Sequence, residues 1–160
     1  MNPLNSPVEA GIRTLVLLTE VFPRRMDLAE LVYFDHAVLH SGNLDGGPDS
    51  LHPELPISPG EMALRRKLIE QGLTVLMRAD LAEIAATEDG FLYTATDEAF
   101  SFLSVLEAPY LHQLRKRAEW LISTYFSEET DVRRSMKMIT QSWADRALFT
   151  GPSQREIEDR

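Results

Sequence analysis

Three histidines and an aspartate come nearest, in type and spacing, to a reaction centre in this chain. His36 and His40 stand one helical turn apart and would share a face, Asp35 precedes the first, and His52 could return from the loop that follows. Imidazoles with a carboxylate are the donor set of a divalent metal site or a small metal-dependent hydrolase. The helical zinc-protease pattern needs a glutamate directly after its first histidine, and here that position holds Ala37. The competing reading lets His40 and His52 hydrogen-bond the loop backbone and hold its shape. Asp35 reads as a structural carboxylate accepting amides from that loop, because a buried charge without partners is too costly to keep. No metal, cofactor or catalytic set is expected. There is no phosphate-cradling glycine loop ending in Gly-Lys-Ser or Gly-Lys-Thr, and Gly46-Gly47-Pro48 is too short and too acidic in its surroundings to replace one. Ser41 and Ser50 lie near histidines in sequence, which does not make a triad. The absence of cysteine excludes thiol nucleophiles, thiolate zinc sites and disulfides.

The sharpest cationic feature is Arg65-Arg66-Lys67, which could contact DNA phosphates or an acidic partner surface. The alternative pairs Arg65 with Glu61, and Lys67 with Glu70 or Gln71, on a solvated helix face. Arg65 falls in an apolar line and is the more structural of the three. The net charge of −9 argues against strong independent nucleic-acid binding, since phosphates demand a concentrated positive surface.

The elements that must position these residues are legible from caps and periodicity. Ser6-Pro7-Val8-Glu9 is a capping box with proline at the first helical position, so a helix begins at Pro7. Its apolar face is Val8, Ile12, Leu15, Val16, Thr19 and Phe22, and Pro23 stops it. Asp27 caps a second helix with Glu30 in support, ending near Gly42, and Asp35 lies on its apolar stripe. The stretch Tyr33 to Leu68 then links two helices through about seventeen residues rich in Gly, Pro, Asp, Ser and His, far longer than packed helices need. Its turn chemistry reads as an ordered, functional loop. Ser58-Pro59-Gly60-Glu61 opens a third helix running to about Arg78, with two apolar faces that predict a central position. Gly72 within it predicts close packing against another backbone. Leu81 to Ala86 and Phe91 to Thr96 read as a β-hairpin turning at Thr87-Glu88-Asp89-Gly90.

A fourth helix starts at Asp97-Glu98, with Phe100, Leu103 and Leu106 inward, and Pro109 breaks or kinks it. A fifth runs from Leu111 to Phe126. A sixth opens at Ser127 with Glu128-Glu129 and carries Val132, Met136, Ile139 and Trp143 on one face. The aromatics Trp120, Tyr125, Trp143 and Phe149 suit a core or an interface. The fold class is therefore mainly α with a small β-hairpin. We expect a winged-helix-like domain over 1–107, a C-terminal helical extension over 108–150 and a flexible tail over 151–160.

The run LVYFDHAVLHSGNLDGGPDSLHPELPISPGEMALRRKLIEQGL resembles the middle component of the prokaryotic ABC three-component systems, the small subunit of Lamassu-type anti-phage defence. Asp35, HSG at 40–42, GGP at 46–48, SLHP at 50–53 and Arg65-Arg66 carry the resemblance. It continues through Thr96 and more loosely into the C-terminal helices. It implies a non-catalytic adaptor working with an SMC-like ATPase and a toxic effector such as a nuclease, with DNA reached through the assembled complex. The expected partner contacts are His40, Ser41, Gly42, Ser50, Leu51, His52, Pro53 and Trp143. The alternative is a winged-helix transcription regulator, which requires a basic third helix and wing. The sequence meets that only at 65–67 and opposes it with Glu88 and Asp89 at the wing tip. No apolar run has membrane-spanning length, and the N-terminus lacks the pattern of a signal peptide, so a cytoplasmic protein is expected.

Overall fold

The structure, a computed structural model, describes residues 6–51, 59–126 and 132–150, and the side chains of 59–61 and 143–150 lie outside that description. Its elements run α1 (Pro7–Val21), α2 (Leu28–Leu39), α3 (Pro59–Arg78), β1 (Ala82–Thr87), β2 (Gly90–Ala95), α4 (Asp97–Ser104), α5 (Pro109–Tyr125) and α6 (Val132–Thr150). The chain is mainly α with one antiparallel hairpin. The caps behave as their chemistry dictates at α2, where Asp27 accepts from the Glu30 amide at 2.7 Å while Glu30 accepts from the Asp27 amide at 2.9 Å. At α1 only the serine half of the box forms, with Ser6 Oγ accepting from the Glu9 amide at 3.2 Å. Glu9 instead contributes to the lining of a cavity beside α5.

The centre of the fold is α1, not α3 as the two-faced pattern of α3 predicts. α3 leaves Leu64 54% and Val75 43% exposed, while Ile69, Leu73 and Leu76 are buried, so a single face packs. α1 is buried from Arg13 to Leu18 without a break, since α3, α2 and α5 cover it from different sides. Its two ends, Val8 and Phe22, are the exposed members of the expected stripe. Helix periodicity identifies an apolar face, but it does not count how many neighbours will surround the helix.

The closest approach in the core is between glycines. A Cβ added at Gly72 would lie 2.7 Å from the Gly11 amide nitrogen, so α1 and α3 touch backbone to backbone. This is the contact that Gly72 predicts. At the end of α3, Asp80 adopts the left-handed conformation at φ 59°, and the Leu81 amide returns to the Leu76 carbonyl at 2.9 Å.

β1 and β2 pair from Ala82↔Ala95 to Thr87↔Gly90. Met26, between α1 and α2, adds a short rung against Tyr93 through two backbone bonds of 3.0 and 2.8 Å. The resulting order, helix, rung, two helices and two strands, is compatible with a winged helix.

Two expectations change in the C-terminal part. α4 buries Ala99 and Leu103, whereas Phe100 is 42% exposed and meets Phe22 edge to face at 5.3 Å. Pro109 does not kink α4, which has already ended at Ser104. It sits in the first turn of α5, where its missing amide proton costs nothing. Residues of both expected segments, 1–107 and 108–150, join one apolar cluster, from Leu15 and Phe34 to Leu114, Leu121 and Ile139. The opening of the sixth helix at Ser127 and the tail at 151–160 lie outside the described residues.

Candidate functional site

Asp35 is the electrostatic centre of the molecule. It is 1% exposed, and each carboxylate oxygen accepts from a different helix: Oδ1 from Arg13 Nε at 2.8 Å on α1, Oδ2 from Arg65 Nη1 at 2.6 Å on α3. The partners are two guanidinium groups rather than the loop amides expected. The reason is direction. An inward-facing residue on α2 looks across to α1 and α3, while the loop leaves from the helix end. Burial works against the Arg13 charge, and the adjacent Asp35 carboxylate more than reverses it, raising the pKa above the ordinary arginine value. Arg13 had no sequence assignment, although an arginine amid the apolar residues Ile12 to Leu18 is a signal that a buried anion must meet it.

Arg65 is thus committed to Asp35, a partner that the sequence did not suggest, and the side chain of Glu61, the partner it did suggest, lies outside the described residues. Arg66 faces solvent and lies 3.7 Å from Glu70, the partner expected for Lys67. The basic triplet divides by helix geometry: one member points inward and two outward.

The loop after α2 opens as a 3-10 turn at Ser41–Asn43. Ser41 Oγ donates to the Pro48 carbonyl at 3.0 Å, and Ser50 Oγ accepts from the Gly42 amide at 3.0 Å, so HSG and the serine of SLHP clasp the two sides of the loop. Gly47 passes so close to the Ser41 carbonyl that a Cβ would collide with it. Arg117 Nε on α5 donates to the Asp49 carbonyl at 2.8 Å, and Ser142 Oγ on α6 accepts from the Asp45 amide at 3.0 Å. Ser41 and His40 are buried and shape the loop. Its outward ridge is Asp45, Gly46 and Asp49. His52 and Pro53 lie outside the described residues, as does the side chain of Trp143.

The imidazoles of His36 and His40 pack with ring centroids 4.5 Å apart. Burial, then His40 and Arg65, push the His36 pKa down to about 4, so the ring is neutral at pH 7. Among the described residues no group of three or more His, Asp or Glu is disposed to hold a metal ion. Both oxygens of Asp35 are engaged by arginines, which leaves it poorly placed as a base or a ligand.

What the fold and site define is a small helical protein whose strongest polar feature is a buried tie between three helices, with a long loop fastened across its surface. The chain belongs to the family of the ABC-three component system Middle Component 2, whose model matches residues 3–146. No curated protein and no solved structure matches it. Membership makes it a component of a multi-subunit system. Among the described residues, no helix is long and apolar enough to cross a membrane.

Proposed function

We propose that the chain is a non-catalytic adaptor of an anti-phage or anti-plasmid defence complex, joining an SMC-like ATPase to an effector subunit such as a nuclease and helping to control its release or activation. The family match over residues 3–146 is the observation that carries this reading. The structure supports it through the loop at 40–53, whose described part is held by side chains of α5 and α6 and so presents a defined ridge. A preorganised loop loses little entropy on docking. Its exposed Asp45 and Asp49 suit a basic partner surface, with Trp143 as a second contact.

The regulator reading weakens on one observation. Arg65, a third of the basic triplet, is turned inward to Asp35, which leaves Arg66 and Lys67 as the outward members of that triplet. Glu88 and Asp89 stand exposed at the hairpin tip, where phosphate would be repelled. Direct contact between this chain and DNA therefore belongs within a complex that supplies further positive charge.

The test is affinity purification of the tagged chain from its native host, with mass measurement of the intact assembly. An ATPase of the SMC type and a third subunit should co-purify, and Asp45→Lys with Asp49→Lys should release them from a folded chain. Recovery of the chain alone would overturn the adaptor reading.

A further inference from the structure

The hairpin leaves one long edge open. On β2 the backbone N–H and C=O of Tyr93 both bond to Met26, so Tyr93 and the residue opposite it, Ile84, form a pair that exchanges no hydrogen bonds. The N–H and C=O of Ile84 therefore point away from β2, and by the two-residue alternation of a strand so do those of Ala86. Among the described residues nothing pairs with them. An open row of donors and acceptors is a template for another strand, and folded proteins commonly blunt it with proline, lysine or a bulge. β1 has none of these, and its register runs unbroken from Ala82 to Thr87.

The edge is also fixed in shape. At the tip Thr87 Oγ1 donates to the Gly90 carbonyl at 2.9 Å and accepts from the Asp89 amide at 3.2 Å, and at the base the Thr96 amide donates to the Leu81 carbonyl at 3.0 Å. A strand held at both ends loses little entropy on pairing. Its two faces differ. Ile84, Ala86 and Phe91 are exposed on one, beyond the buried Ala82 and Ala95, and Glu83 is exposed on the other. Between Arg78 and His112 the sequence has no basic residue, while Glu88, Asp89, Asp97 and Glu98 join Glu83 in this stretch. A second copy of the chain would bring the same carboxylates to the seam, so charge favours a basic occupant.

We propose that the free edge of β1 accepts an antiparallel strand from another subunit, an extended segment that alternates apolar residues with lysine or arginine. Its apolar residues lie opposite Ile84 and Ala86 and bond their outward backbone groups. A basic residue lies opposite Glu83, in the closer pairing that exchanges no bonds. The source of the strand rests on the adaptor reading, whereas the edge belongs to this chain alone.

The probe is a peptide of about seven residues alternating valine and lysine, with acetyl and amide ends, titrated into the full chain while hydrogen exchange at backbone amides is followed. Saturable slowing is expected at the Ile84 and Ala86 amides. Methylating the valine nitrogens should abolish it, because those groups face β1, whereas methylating the lysine nitrogens should leave it. Ala86→Pro removes one outward donor and no hairpin bond, and should weaken binding by about tenfold. Glu83→Lys should weaken it by about fivefold or more and favour a peptide alternating valine and glutamate. No slowing at Ile84 and Ala86, equal loss from both methylated peptides, or binding untouched in both variants would overturn the proposal, and none of these outcomes bears on the adaptor reading. In the purified assembly the same two amides should be protected without peptide. Exchange there as fast as in the free chain would overturn occupancy by a partner, and protection that rises with the concentration of the free chain would overturn it in favour of a second copy.

Discussion

Two carboxylates on α2, about two turns apart, meet arginines in opposite surroundings. Asp35 is 1% exposed and joins Arg13 and Arg65, which are 4% and 22% exposed. Asp27 caps the helix and takes Arg133 Nη2 from α6 at 2.9 Å, with that arginine 60% exposed. The chemistry is the same, and the surroundings set its weight. On the rim water and salt screen the pair, so the cap matters more than the charge. In the interior each group depends on the others, because no solvent can replace a missing partner.

The largest test of that contrast is Asp35→Ala. It strands Arg13 in the core and should lower unfolding free energy by about 3–5 kcal/mol, read from urea denaturation. A loss no greater than that of a rim pair would show that water reaches Arg13. Next comes Gly72→Ala, which asks whether the tie can survive if α1 and α3 are pushed apart. Overpacking against the Gly11 backbone should cost about 1–3 kcal/mol, and retention of full stability would mean that the two helices slide freely.

His36 sharpens the comparison through pH, since it lies beside Arg65 and His40 within reach of Asp35. Its folded pKa of about 4 lies below the ordinary 6.5, so between those values the unfolded chain binds more protons. The contribution is full above pH 6.5 and is lost as pH falls toward 4. Stability should drop by about 1–2 kcal/mol from pH 7 to pH 5, and His36→Gln should flatten that part of the profile. A histidine variant with the same slope as the parent chain would place the titration elsewhere. The smallest effect belongs to the rim. Arg133→Ala should cost under about 1 kcal/mol and less still at high salt, and a larger, salt-insensitive loss would make α6 a structural clamp.

Local chemistry was legible where it acts within a few residues. Ser6, Asp27 and the Thr87 to Gly90 turn placed two helix starts and a hairpin within a residue or two, because caps and turns are satisfied by near neighbours. Gly72 announced a close approach without naming Gly11. The apolar spacing marks Asp35 and Arg65 as inward polar positions, but it does not pair them or add Arg13, because the three come from different helices. Phe100 continues an apolar spacing that points inward, and Phe22 at the surface gives it a partner instead.

The sequence by itself determined the order and type of the elements, the turn chemistry of the loop over 40–51 and the family that its motifs point to. Only the tertiary structure decided that α1 is the central helix, that Asp35 is held by Arg13 and Arg65, and that Glu9 does not complete its capping box. The physical reason is range. Capping, turn and periodicity signals are set by neighbours along the chain, whereas burial on every side and the matching of charges depend on which helices meet.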